Sequence, residues 1–117
     1  MPKKIDWLYH RKSCITCQRA ETYREGCGTK VAETVDARKV RFDTEGALKL
    51  LDGIDKLIAM KGTKVVTFDL KKDRPEDSVL LAHLMGPTGN LRAPTARVGK
   101  TLMVGFNEDA YKDVLGG

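Results

Sequence analysis

Aromatic residues are scarce, only 6% of 117. With so few rings to stack on bases, a nucleic-acid partner is not expected, although the net charge is +5 and the pI about 9.2. The basic residues come in small groups interrupted by acids, for example Lys71, Lys72 and Arg74. This describes a solvated surface with a mild bias toward anionic substrates or acidic protein surfaces. Long apolar runs are absent, so no bilayer span is expected. No apolar stretch follows Lys3 and Lys4, so no secretory signal is expected either. There are three cysteines, an odd number without the spacing of a disulfide framework, which points to a cytoplasmic protein. Internal repeats, low-complexity segments and nucleotide or flavin signatures are also lacking. No bound cofactor is expected, and the length suits one domain with one core, taken as a monomer.

What the chain does have is His10-Arg11-Lys12-Ser13-Cys14-Ile15-Thr16-Cys17-Gln18-Arg19-Ala20. A strand over residues 3–9 precedes Cys14, and a helix over residues 15–25 follows it. At that junction the first helical N–H groups lack partners, and the positive end of the helix dipole favours an anion. A thiolate is such an anion, so Cys14 is expected to have a lowered pKa and to be the reactive sulfur. Cys17 lies one turn along, within reach of Cys14 for a disulfide. A C-x-x-C in this setting is the sequence form of a dithiol redox site. A structural zinc site would need four ligands; beyond the pair the chain offers only Cys27, His10 and His83, with no second C-x-x-C, so no metal is expected.

Along the first helix Thr16, Ala20, Tyr23 and Cys27 share a face, with Gly26 and Gly28 as the stop. Cys27 reads as a small core residue. Alternation over 30–37 predicts a second strand, beginning near Thr29, followed by a basic connector over 38–42. Asp43 or Thr44 then caps a long helix whose stripe is Ala47, Leu50, Leu51, Ile54, Leu57 and Ile58, ended by Gly62. Residues 63–70 fit either a short strand or an extended connector. Asp73 and Pro75 mark another helix, carrying His83 and closed by Gly86 and Pro87. Residues 91–98 and 101–106 read as a hairpin turning at Gly99-Lys100, with Pro94 at a strand start or an edge. Asn107 caps a last helix with Tyr111, Val114 and Leu115 inward. The expected class is α/β: one mixed β-sheet flanked by helices, in a single domain over 1–117, with a helical insertion at about 43–86.

This arrangement resembles the thioredoxin fold. It is most similar to the glutaredoxin-type branch that holds the glutaredoxin-linked arsenate reductases and the transcription regulator Spx. His10 stands four residues before Cys14, as in that family's H-x-x-x-C signature, and Ser13 to Ala20 looks like the C-x-x-C segment of Spx. The resemblance implies that Pro94 is cis and faces Cys14. It also implies that backbone beside the proline, at Thr95, pairs with an incoming disulfide substrate. Arg92 would correspond to the family's anion-holding arginine, although Ala93 separates it from the proline. The family's arginine after the long helix has no clear match, Lys64 being a loose substitute. The second cysteine departs from the arsenate reductases, which use one.

The function expected is thiol–disulfide oxidoreduction on protein or glutathione disulfides, with glutathione or a partner thiol as reductant. Cys14 attacks and Cys17 resolves. His10 either tunes the thiol or simply closes the first strand as a polar residue. Arg11 and Lys12 either add positive potential or are solvated loop charges. A redox-sensing regulator that partners RNA polymerase, as Spx does, is the second class; an arsenate reductase with Cys14 as nucleophile is the third.

Overall fold

A computed structural model describes residues 4–12, 14–61, 63–86 and 89–115. Lys3, Ser13, Gly62 and Pro87, named above, lie outside the described residues. In chain order the elements are β1 (Trp7–His10), α1 (Ile15–Cys27), β2 (Thr34–Asp36), α2 (Thr44–Lys49), β3 (Lys56–Lys61), β4 (Lys64–Asp69), α3 (Asp77–Leu84), β5 (Thr95–Val98), β6 (Thr101–Val104) and α4 (Glu108–Leu115). The strands form one mixed sheet in the order β2-β1-β5-β6-β3-β4. β1 runs parallel to β2 and β6 parallel to β3, while the β1–β5, β5–β6 and β3–β4 pairs are antiparallel.

Side chains alternate across each strand, so the sheet feeds two cores. Leu8, Ile58, Met60, Ala96 and Met103 pack with Ala20 of α1 and with Ala110, Tyr111 and Leu115 of α4. Tyr9, Leu57, Leu102 and Val104 face the other way, toward Ala47, Leu51, Leu80 and Leu84 around α2 and α3. Helices therefore cover both faces.

The long helix expected from residue 44 onward is not formed. α2 stops at Lys49, and Gly53, at φ 76°, turns the chain. Leu57 and Ile58, the end of the apparent helical stripe, belong to β3 and enter opposite cores. A central strand buried on both faces reads as a continuous apolar run, and such a run imitates a helix period over a few residues. The region 43–86 is thus α2, a β3–β4 hairpin and α3 rather than a helical insertion. Residues 63–70 contain a true strand, β4, at the sheet edge.

Other boundaries are refined. β2 is shorter than expected, preceded by a single parallel bridge between Ile5 and Val31. Gly28 ends α1 in the left-handed region, its N–H bonding back to Arg24 and Glu25, whereas Gly26 lies within the helix. The buried side of α1 is Cys17, Ala20 and Arg24; Thr16 is exposed and Cys27 half-buried. The strand expected from residue 91 begins only at Thr95, directly after Pro94, and β6 ends before Phe106. At α4, the Asn107 side chain accepts the Ala110 N–H at 3.1 Å.

Candidate active site

Cys14 is the N-cap residue of α1, extended at φ −93° and ψ 125°, and no side chain caps the helix. Its carbonyl accepts the first helical bond from Gln18 at 3.0 Å. The N–H groups of the first turn therefore have no side-chain cap, the arrangement in which a helix end favours an anion. The thiol donates to the carbonyl oxygen of Ala93 at 3.7 Å. The Ala93–Pro94 peptide is cis. Two residues distant in sequence are joined here: the β1–α1 junction and the loop entering β5.

That loop is held from several sides. Arg92 N–H donates to Leu84 O at 2.8 Å, and Gly105 N–H donates to Pro94 O at 2.8 Å. The Thr95 hydroxyl donates to Arg92 O at 2.6 Å. Gly105, at φ 90°, is needed here, because a Cβ would collide with the Met60 carbonyl. Arg92 is anchored too: Nη1 donates to His83 O at 3.2 Å and Nη2 to Met60 O at 2.7 Å. Burial lowers its pKa from the ordinary arginine value.

Cys17 is fully buried one turn below Cys14 and accepts the Arg11 N–H at 3.4 Å. All three cysteines are free thiols. Burial pushes the Cys17 thiol up to about 12; the Arg11 N–H opposes this, and a hydrogen bond with Cys14 adds to it. The two sulfurs are therefore neighbours with unlike surroundings.

Cys14 opens onto a cavity of about 710 Å³ whose lining includes Tyr9, Ala93 and four arginines, Arg11, Arg38, Arg41 and Arg92. No acidic residue is among the described residues that line it. The sequence signal for Arg38 and Arg41 was the basic connector after β2, but nothing in the pattern placed it over Cys14. Aromatic packing does so. The Tyr9 hydroxyl donates to Val40 O at 2.6 Å, and the Phe42 ring meets Tyr9 and Trp7 at 5.1 and 5.8 Å.

Other expected site residues sit elsewhere. His10 Nε2 lies 3.4 Å from Glu21, and the imidazole lines a second cavity with Lys12, Glu21 and Arg24 rather than the Cys14 cavity. Thr95 is fully buried within β5, opposite Tyr9 on one side and Val104 on the other, whereas Ala93 lines the Cys14 cavity. Lys64 is exposed at the start of β4 and does not line that cavity. His83 packs against Phe68 in a tilted arrangement, ring centroids 5.1 Å apart. Among the described residues no group of three or more His, Cys, Asp or Glu is placed to hold a metal ion.

A model of the ArsC family matches residues 9–114. The chain belongs to the ArsC family. This is the arsenate reductase and Spx-like family of the thioredoxin superfamily, and its chemistry is thiol-based redox. No curated protein matches the chain. The ArsC assignment agrees with the mixed six-stranded sheet flanked by helices. No helix among the described residues is long and apolar enough to cross a membrane.

Proposed function

We propose that this ArsC-family protein is a thiol–disulfide oxidoreductase in which Cys14 and Cys17 act as a pair. The observation that carries this is the placement of Cys14 at the N-cap of α1, facing the Ala93 carbonyl, with Cys17 one turn along the same helix. The Cys14 thiolate attacks one sulfur of a protein or glutathione disulfide. A Cys14–substrate bond forms, the substrate S–S bond breaks, and the first thiol leaves with the electron pair and a proton. Cys17 then attacks Cys14 sulfur, the Cys14–Cys17 disulfide forms, and the second thiol leaves with the Cys17 proton. Glutathione or a partner thiol restores the dithiol in the cytoplasm. Ala93 supplies backbone beside the incoming sulfur, and the cavity arginines attract anionic substrates such as glutathione.

The arginine-lined cavity favours a second reading, in which Cys14 alone attacks an oxyanion such as arsenate. Cys17→Ser separates the two. Dithiol turnover of a glutathionylated peptide is expected to fall at least about a hundredfold, because the mixed disulfide has no internal thiol to resolve it. Unchanged peptide turnover, with arsenate reduction retained, would favour the single-cysteine reading.

A further inference from the structure

Among the described residues Arg24 is the one buried charged residue, and the thiol chemistry does not use it. It is only 7% exposed, on the buried side of α1 with Cys17 and Ala20. Among the described residues no carboxylate lies within ion-pair distance of it, and its Nη1 is sealed from solvent without a hydrogen-bond partner. An unpaired cation is costly to take out of water, and a leucine or methionine would fill the same place without that cost.

Seven residues separate Cys17 from Arg24, two turns along one face of the helix. Long helical side chains lean toward the helix N-terminus, which carries the guanidinium back toward Cys17. Tyr111 of α4 is also fully buried, and its hydroxyl lacks a partner. Cys17, Arg24 and Tyr111 are all buried; burial pushes the Cys17 thiol and the Tyr111 hydroxyl up, and the charge of Arg24 opposes it at both. Cys17 accepts the Arg11 N–H and is influenced electrostatically by Cys14 and Arg24 of α1 and by Tyr111 of α4. Across the adjoining cavity Arg24 meets His10, Lys12, Glu21, Glu25 and Asp36.

We propose that Arg24 is a positioning residue for the resolving step, a buried cation that favours the Cys17 thiolate as it turns on the mixed disulfide. This rests on the dithiol reading. In the resting protein the Cys14 thiol helps to keep Cys17 protonated. Once Cys14 is tied up as a disulfide, that thiol and its charge are gone. The Arg11 N–H and Arg24 remain to favour the anion. Cys17 sulfur then bonds to Cys14 sulfur, the Cys14–substrate bond breaks, and the substrate thiol leaves with the Cys17 proton.

The test uses the full chain, with Cys27→Ser in every protein compared so that only Cys14 and Cys17 react, and the aromatic disulfide 5,5′-dithiobis(2-nitrobenzoate), which releases one coloured thiol at each step. The Cys27→Ser parent, Arg24→Gln and Arg24→Lys are compared by stopped flow across pH. In Arg24→Gln the first release is expected to stay within about twofold, while the midpoint of the second rises by about one pH unit, roughly tenfold in rate at neutral pH. Arg24→Lys is expected to restore most of the loss. An unmoved midpoint in Arg24→Gln, equal slowing of both releases, or a lysine variant as slow as glutamine overturns the proposal. Should Arg24→Gln not fold, Arg24→Met, which fills the same buried place without the charge, takes its position in the comparison with the same expected and overturning outcomes. A parent that releases only one thiol contradicts the dithiol reading itself, a distinct outcome.

Discussion

The sulfur of Cys14 lies 3.7 Å from the carbonyl oxygen of Ala93, across 79 residues of chain. Because Ala93 is pinned by its neighbours, Gly105 should control the site from a distance. Gly105→Ala puts a methyl against the Met60 carbonyl at φ 90°. A loss of about 2–4 kcal/mol in urea unfolding is expected, the range of strain at a left-handed position combined with a backbone clash.

Arg92 spends two of its donors on backbone carbonyls. Arg92→Ala is therefore expected to cost about 2–3 kcal/mol of stability, since charge-assisted bonds are lost and buried acceptors left open. Chemical denaturation measures this. A normal melt with a raised KM for anionic substrates would instead assign the residue to substrate binding.

Arg38 and Arg41 line the Cys14 cavity and are exposed. Arg38→Ala and Arg41→Ala should each lower kcat/KM for an anionic disulfide about three- to fivefold, as for exposed ion pairs of up to about 1 kcal/mol. A neutral disulfide should be unaffected. The difference should fade at high salt, because exposed charges are screened. Steady-state rates at two ionic strengths check all three points.

Cys17 keeps its proton up to about 12 in the folded protein, against 9.0 as its ordinary value. The folded state binds the extra proton between those limits. Its contribution to stability is therefore complete below pH 9 and is lost as pH rises from 9 toward 12. Tyr111, whose pKa burial also raises, adds to the same alkaline loss. Cys17→Ala is expected to flatten the fall in Tm above pH 9, as read by circular dichroism melts. An unchanged slope would show that the thiol does not titrate there.

Much of this site was legible in local patterns. The Cys14 junction, the start of α4 at Asn107 and the Gly99-Lys100 hairpin each announce themselves within a few residues, through caps and turn chemistry. Residues 56–61 did not, because a strand buried on both faces lacks the alternation that marks a half-buried one. α1 misled by one position: Thr16 and Tyr23 looked like its inner face, but Cys17 and Arg24 hold it, and a buried arginine carries no apolar signal. Arg38 and Arg41 reach the site through the fold of the connector around Tyr9 and Phe42, a tertiary event with no period to read.

Whether Cys14 and Cys17 work as a pair is decided by intact mass after treating the native protein with one equivalent of oxidised glutathione, followed by peptide mapping. The expected product has lost two hydrogens and carries a Cys14–Cys17 bond, with Cys27 still a free thiol. A stable glutathione adduct on Cys14 alone, in a protein whose Cys17 never bridges to it, would contradict the dithiol mechanism.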